Sequence, residues 1–192
     1  MTQIVCTTLI ASALMLGFGD GKAAGHENSD LDRHAAYFEL SNTVAPIRSP
    51  EDLSRHLADN SDSPFFYLSA DARERFISSI TFNERGVTGF EYMDLERELT
   101  PTQIFEVMSL IGQQQFTWQL QGARVETKLD ELLLAGEVPG IGPLGRCPPP
   151  GEPQSGASVI SNCDNDNFLK DHRCSAPGNC EYSMRNSCTV NC

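Results

Sequence analysis

The chain has 192 residues, 40% of them hydrophobic, and a formal net charge of −12 at pH 7. Strong negative charge opposes contact with nucleic-acid phosphates and anionic lipids, which proteins bind through clustered Lys and Arg. We therefore expect no nucleic-acid partner and no electrostatic binding to a membrane surface. Arginine outnumbers lysine by 11 to 3, and we interpret this bias as the mark of a GC-rich, bacterial genome.

The chain begins with an apolar segment that predicts a cleaved export signal. Residues 4–18 carry no charge and span 15 residues, which suits a signal peptide and falls short of the ~20 residues of a membrane-spanning helix. Small residues at Ala23 and Gly25 place the cleavage site before His26. The signal would thus be residues 1–25, leaving about 167 residues with one modest core and no membrane insertion.

Residues 26–135 predict an acidic, α-helical domain of about five short helices. Each helix start combines a capping side chain with an acidic or proline-containing first turn, and the four starts are Ser29, Ser49, Ser69 and Thr100. The apolar residues that share a face with helical spacing are Leu31, Ala35 and Phe38, then Leu53 and Leu57, then Ala72, Phe76 and Ile80, and then Ile104, Met108 and Ile111. Gly86 predicts a turn, and Gly112 predicts the end of the fourth helix.

Two segments near the end of this domain are predicted from their hydrophobic pattern alone. Residues 116–121 alternate between apolar and polar, and this short pattern fits either a strand or a continued helix. A last helix is expected from about residue 125 to residue 135. The side chains expected to face inward on it are Val125, Leu129, Leu132 and Leu133.

A Gly/Pro-rich linker is expected at residues 136–158, where 12 residues are Gly or Pro. Such a segment does not propagate helix or sheet. Beyond it we expect a separate, irregular, disulfide-stabilised module over residues 147–192. The overall fold class predicted is therefore mainly α with an irregular cysteine-rich end.

Six of the seven cysteines lie in this C-terminal segment: Cys147, Cys163, Cys174, Cys180, Cys188 and Cys192. An even set in an exported chain predicts disulfides and a secreted or periplasmic location. Each bridge contributes ~2–4 kcal/mol in a segment with few apolar residues. The sequence does not choose among the possible pairings. No metal site and no cofactor are expected, since the cysteines lack zinc-finger spacing and no phosphate-binding loop is present.

The sequence contains no recognisable catalytic motif, and we expect no enzyme. The four histidines after the signal are isolated from one another, and no nucleophile elbow is present. The weak candidates are Glu91, Asp94 and Glu98, which would share one face if they lay on a helix. Such a group is able to bind a cation or to act as an acid–base pair.

The leading functional hypothesis is a secreted or periplasmic interaction protein that binds a protein partner. Loops at residues 164–173 and 181–187 would contact that partner, around Asp164, Asp166, Arg173 and Arg185. One alternative is the precursor of a six-cysteine toxin or defence peptide, released after Arg146. A carboxylate-based hydrolase is the third hypothesis. Partner identity and oligomeric state stay open at this stage.

Overall fold

The computed structural model describes residues 26–138 and 168–192. This part of the chain contains six α-helices and two short 3-10 helices. The α-helices are α1 (His26–Val44), α2 (Pro50–Asp59), α3 (Ala70–Ser79), α4 (Met93–Glu98), α5 (Pro101–Leu110) and α6 (Lys128–Leu134). The 3-10 helices are Pro64–Tyr67 and Gln114–Gln119. The predicted helices are therefore present, although they exceed the expected five.

The helix starts depend on local hydrogen bonds, and three of the four capping residues do what the sequence predicts. Ser49 accepts from the backbone N–H of Asp52, and Ser69 accepts from that of Ala72. Thr100 and Gln103 form a reciprocal capping box at the start of α5. These bonds satisfy backbone N–H groups that have no partner within the helix. The first helix instead begins before the predicted cap, at His26.

Four antiparallel strands form one sheet in the order β1-β2-β4-β3. Their bounds are β1 (Thr81–Asn83), β2 (Gly86–Glu91), β3 (Phe168–Ala176) and β4 (Asn179–Thr189). The sheet corrects the predicted fold class: the helices are accompanied by a regular sheet, and residues 168–189 form a hairpin where an irregular module was expected. The predicted turn at Gly86 is confirmed, since it joins β1 to β2.

The C-terminal strand β4 is inserted between β2 and β3, so the cysteine-rich end shares a sheet with the helical body. Gly89 of β2 lies opposite Cys188 of β4. A Cβ atom at Gly89 would lie 2.4 Å from the backbone oxygen of Ser187. Glycine is therefore required for this close approach of the two strands. The predicted domain boundary at residues 136–158 stays a prediction, because residues 139–167 lie outside the described residues.

A series of phenylalanine rings runs through the core and joins the two ends of the chain. Neighbouring ring centroids are 4.7 to 6.0 Å apart along the order Phe65, Phe76, Phe90, Phe168, Phe116, Phe38. Phe168 opens β3 and is 2% exposed. Burial of such a ring stabilises a fold by about 1.5–3 kcal/mol. The cysteine-rich end therefore contributes a central residue to the core of the body.

The last residues of the chain are also tied to the body by polar contacts. The Asn191 side chain donates to the backbone oxygen of Val87 at 3.2 Å and to Asn42 at 3.3 Å. The Asn191 backbone oxygen accepts from Asn83 and from Arg85. Asn191 is 5% exposed, so these bonds are shielded from water and fix the end of β4 against the β1–β2 turn.

Two sequence expectations near α5 and α6 are resolved by the structure. Residues 116–119 belong to the second 3-10 helix. Gly112, with a φ of 73°, follows the C-cap of α5 and stops that helix, as predicted. The last helix begins at Lys128, because Thr127 caps it, and this start turns Asp130 and Leu133 inward. The prediction that Val125 and Leu129 face inward is wrong, since they are 45% and 49% exposed.

Asp130 fixes α6 against the start of α5. Its side chain is fully buried and accepts five hydrogen bonds: from the backbone N–H and the hydroxyl of both Thr102 and Thr127, and from the backbone N–H of Glu126. Burial by itself raises the pKa of this carboxyl. The hydrogen-bond donors lower the pKa by more than burial raises it, so the net pKa lies below the ordinary value.

We predict that Asp130→Asn lowers the free energy of unfolding by about 3 kcal/mol at neutral pH, because charge-assisted bonds are lost and buried donors stay unpaired. A carboxyl whose pKa is depressed by folding stabilises the fold above its unfolded pKa, and this stabilisation is lost as pH falls below about 4. The difference between the variant and the native chain should therefore shrink in acid. Chemical denaturation between about pH 7 and pH 2 measures it. Asp59→Asn, at an exposed site, is the control, and a pH-independent difference would contradict the prediction.

Candidate functional site

The β3–β4 hairpin curls back onto its own base. Cys180 and Cys188 both belong to β4, and their Cα atoms are 6.0 Å apart. Eight residues of continuous strand would span about 26 Å. The strand must therefore fold back between these two cysteines. At the tip, the backbone N–H of Gly178 donates to the backbone oxygen of Cys192 at 2.7 Å.

The fold-back is produced by an insertion in β4, which we call the bulge loop (residues 183–186). Lys170 lies opposite Ser187 and His172 lies opposite Tyr182, so four residues of β4 face one residue of β3. That single residue is Asp171. Such bulges bend a strand and re-aim its side chains.

Asp171 holds the bulge loop in place. Its Oδ1 atom accepts from the Tyr92 hydroxyl at 2.5 Å and from the backbone N–H of Arg185 at 2.9 Å. The backbone N–H of Tyr92 donates in turn to the backbone oxygen of Arg185 at 3.0 Å. Both Asp171 and Arg185 have left-handed backbone conformations, with φ of 59° and 70°. This conformation is unfavourable for Arg185, whereas aspartate is one of the residues that adopt it more readily.

The contact also shifts the titration of both of its members. The hydrogen bond from Tyr92, followed by that from the backbone of Arg185, lowers the pKa of the Asp171 carboxyl. Burial, followed by the bond to Asp171, raises the pKa of the Tyr92 hydroxyl. At neutral pH the pair is therefore a neutral phenol that donates to a carboxylate, which is the arrangement a lasting anchor needs.

Lys170 connects the same hairpin to the helices. Its Nζ atom lies 2.7 Å from Glu96 Oε1, donates to the backbone oxygen of Gln119 at 3.2 Å and lies 4.6 Å from the centroid of the Tyr92 ring. The side chains of Lys170 and Glu96 are 30% and 11% exposed. This ion pair is therefore better shielded than a surface pair, and it fixes the base of the hairpin.

Two disulfides close the hairpin, which confirms the disulfide prediction for four cysteines. Cys174 is bonded to Cys192, and Cys180 is bonded to Cys188. The bridges close loops of 18 and 8 residues, which by chain entropy corresponds to about 3 and about 2.5 kcal/mol. Cys147 and Cys163 lie outside the described residues.

The outer face of the hairpin presents large side chains to solvent. Tyr182 and Met184 are 71% and 62% exposed, and Tyr182 is the most exposed large hydrophobic residue in the described chain. Arg185 is exposed beside them. Arg173 and Glu181 lie opposite each other, with 3.8 Å between charged atoms. We call Tyr182, Met184 and Arg185 the hairpin surface.

The three predicted acidic residues do not all lie on one helix. Glu91 is the last residue of β2 and precedes α4, while Asp94 and Glu98 lie on that helix. Each of the two helical acids has its own partner. Arg75 donates to both oxygens of Asp94 at 2.9 Å, and Ser69 donates to Glu98 through its backbone N–H and its hydroxyl. These bonds join α3 to α4, so both carboxylates have a structural role.

Within residues 26–138 and 168–192, the one cluster of potential metal ligands consists of Cys174, Cys188 and Cys192. All three sulfurs are consumed in disulfides, so none is a thiolate ligand in this form of the chain. The other predicted contact residues divide between the two regions. Arg173 and Arg185 lie on the hairpin, whereas Asp164 and Asp166 lie outside the described residues.

Sequence reasoning missed Tyr92 and Asp171, which hold the hairpin surface in place. Their contact joins residues 79 positions apart, and no local pattern marks such a pair. The hairpin itself had a signal in Pro177-Gly178, because Pro followed by Gly favours a tight turn with a left-handed second residue. Gly178 has a φ of 74°, in agreement with that turn.

Comparisons with known proteins do not extend this description. No protein-family model matches the chain, and no curated protein or solved structure matches it significantly. In the described part of the chain, none of the helices has both the length and the apolar composition needed to cross a bilayer.

We predict that Tyr92→Phe loosens the bulge loop while preserving the core ring. The Tyr92 side chain is 3% exposed, so loss of its hydroxyl removes a shielded, charge-assisted bond, at a cost of about 2 kcal/mol. Chemical denaturation measures this cost, and amide hydrogen exchange at residues 183–186 should become faster. Tyr67→Phe is the matched control, because Tyr67 also donates to a carboxylate, Glu106, but at an exposed site. Equal effects of the two changes would contradict the prediction.

Proposed function

We propose that this chain is an extracytoplasmic interaction protein that binds a protein partner through the hairpin surface. The observation that carries the proposal is the exposure of Tyr182 and Met184 on a hairpin closed by two disulfides. Tyr, Met and Arg are enriched in protein interfaces, and Tyr and Arg often dominate the binding free energy. A hairpin fixed before binding also loses little conformational entropy when a partner docks.

The backbone of Arg185 supports the same proposal. A left-handed conformation costs roughly 1–2 kcal/mol in a residue other than glycine, and the Asp171 contact uses only the backbone of Arg185. Glycine would satisfy that contact without the strain. The Arg185 side chain is exposed to solvent, where a carboxylate of the partner would be able to reach it. We propose a partner with an apolar pocket for Tyr182 and Met184 and an acidic group beside it.

The proposed location follows from the disulfides. Bridges persist outside the cytosol, where thiols are not kept reduced. The apolar segment at residues 4–18 provides an export signal for this route, which would leave a mature chain that begins near His26. A secreted or periplasmic protein is the form of the proposal that we put to test.

The alternative of a released peptide has less support. Cleavage after Arg146 would separate β3 and β4 from β2, although β4 pairs with β2 and Phe168 lies among core rings. A released segment would expose to solvent the edge of β4 that pairs with β2 and the ring of Phe168. The carboxylate hydrolase has less support as well, because Asp94 and Glu98 are engaged by Arg75 and Ser69.

We predict that residues 26–192 are exported together as one uncut chain, since they contain both sides of the β2–β4 pairing. Intact-mass measurement of the secreted or periplasmic fraction tests this expectation, with and without reduction. Reduction should add two hydrogen masses per bridge to that single species. A product of 46 residues, from Cys147 to Cys192, would instead support the peptide precursor.

We predict that Tyr182→Ala weakens partner binding at least about tenfold, or about 1.4 kcal/mol, because an exposed aromatic anchor is lost without a change in the core. The oxidised protein is immobilised to capture binders from the exported fraction of its source cells. The affinity of each purified binder is then measured by calorimetry. Leu129→Ala, at an exposed apolar site on α6, is the matched control. A binder unaffected by Tyr182→Ala and Met184→Ala would place the interface elsewhere.

A further inference from the structure

The two disulfides of the hairpin lie side by side. The sulfur atoms of Cys174, Cys188 and Cys192 all lie within 4.8 Å of one another, although Cys188 belongs to one bridge and the other two form the second. The fourth sulfur, that of Cys180, is bonded directly to Cys188. Four sulfurs are thus gathered in one cluster by the curl of the hairpin.

In each bridge, one cysteine is partly exposed and the other is buried. Cys174 and Cys180 are partly exposed, on the two arms of the hairpin. Cys188 and Cys192, by contrast, are 1% and 4% exposed. An incoming thiolate that attacks the partly exposed Cys180 expels the buried Cys188 as a thiolate, just as attack on Cys174 would expel Cys192. That thiolate forms beside an intact disulfide.

We propose that these four cysteines form a thiol–disulfide exchange site that isomerises in the presence of a low-molecular-weight thiol. The thiolate of that molecule attacks Cys180, forming a mixed disulfide and releasing the Cys188 thiolate. Cys188 then attacks Cys192, forming a Cys188–Cys192 bond and releasing the Cys174 thiolate. Finally, Cys174 attacks Cys180 of the mixed disulfide and expels the small thiolate. Over the three steps, the two disulfides within the chain are replaced by two others. The small thiol is regenerated, and no net oxidation occurs.

The product of this exchange fits the backbone of the hairpin. Cys174 and Cys180 lie directly opposite each other across β3 and β4, where paired Cα atoms are about 4.5–5.5 Å apart, within the range that a disulfide spans. Cys188 and Cys192 lie around the turn in which the Cys192 N–H donates to the Thr189 oxygen at 3.0 Å. The Cys174–Cys180 bond would form within the existing strand pairing, and the sulfur atoms of Cys188 and Cys192 already lie within 4.8 Å of each other.

The exchange would release the curl of the hairpin. In the described form, each bridge connects the tip segment, Cys174 or Cys180, to the base, Cys188 or Cys192. In the isomer, one bond closes the tip on itself and the other closes the base. The Asp171 contacts, the Tyr92–Arg185 backbone hydrogen bond and the pairing of Asn186 with β2 would then hold the bulge loop without the disulfides. This inference concerns sulfur chemistry and does not depend on the proposed partner.

The chain offers a direct readout, because trypsin cleaves after Arg173 and Arg185. These cuts place Cys174 and Cys180 in the peptide 174–185, and Cys188 and Cys192 in the peptide 186–192. The described pairing joins the two peptides by two bonds. The proposed isomer leaves them separate, each with an internal disulfide.

The first experiment incubates the oxidised full chain in glutathione buffer, blocks free thiols with N-ethylmaleimide, digests with trypsin and measures peptide masses. We expect a tenth or so of the two peptides, or more, to appear separate with internal bonds, because each thiolate released in the exchange lies beside the next disulfide that it attacks. Peptides that stay joined throughout, or that separate only in the reduced and blocked form, would overturn the proposal.

A second experiment removes the need for an external thiol. In Cys180→Ser, Cys188 is left as a thiol beside the Cys174–Cys192 bond, and we expect the maleimide label on Cys174 as well as on Cys188. The double variant Cys180→Ser with Cys188→Ser is the control, in which the two peptides should stay joined. Label confined to Cys188 in the single variant would overturn the proposal independently of the first experiment.

Discussion

The stacking of Phe168 on Phe116 is the contact on which the rest of the structure depends. The two rings are 4.7 Å apart and nearly parallel, and Phe168 also contacts Phe90 of β2. This burial brings the start of β3 into the helical core, and once β3 is placed, β4 has its position between β3 and β2. The disulfides, the bulge loop and the hairpin surface all follow from that placement, because they lie on these two strands.

The hairpin surface combines strong fixation with high exposure. Asp171 and Lys170 anchor it to Tyr92 and Glu96 from below, and two disulfides close it from the side. Exposed hairpins are marginal in water on their own, so these covalent and charged contacts supply the stability that apolar burial does not. This is why Tyr182 and Met184 are able to stay in solvent on an ordered backbone. The same crowding of contacts brings the two disulfides together and makes their exchange chemically accessible.

Much of the helical body was predictable, because helix starts are written in a few adjacent residues. The caps at Ser49, Ser69 and Thr100 formed as expected, and Gly112 ended α5. The errors lie where a distant contact overrides a local pattern. Val125 and Leu129 fit an apolar helical face, yet Val125 precedes α6, and the bonds between Asp130 and Thr102 turn a different face of that helix inward, which leaves Leu129 exposed. Glu91, Asp94 and Glu98 fit a shared face, yet β2 takes up Glu91 by pairing with Asn186.

The sequence by itself determined the helix boundaries set by caps, the acidity that disfavours phosphate partners, and the cysteine content that leads to disulfides. These properties depend on composition or on residues within one helical turn. Only the tertiary structure decided which cysteines pair, that β4 lies between β2 and β3, and that Tyr92 meets Asp171. Each of these contacts joins residues that are distant in sequence, or residues that have several equivalent partners. Interactions between neighbouring residues do not distinguish among the possible partners. They are selected together, by the burial of Phe168 and by the strand pairing that this burial imposes.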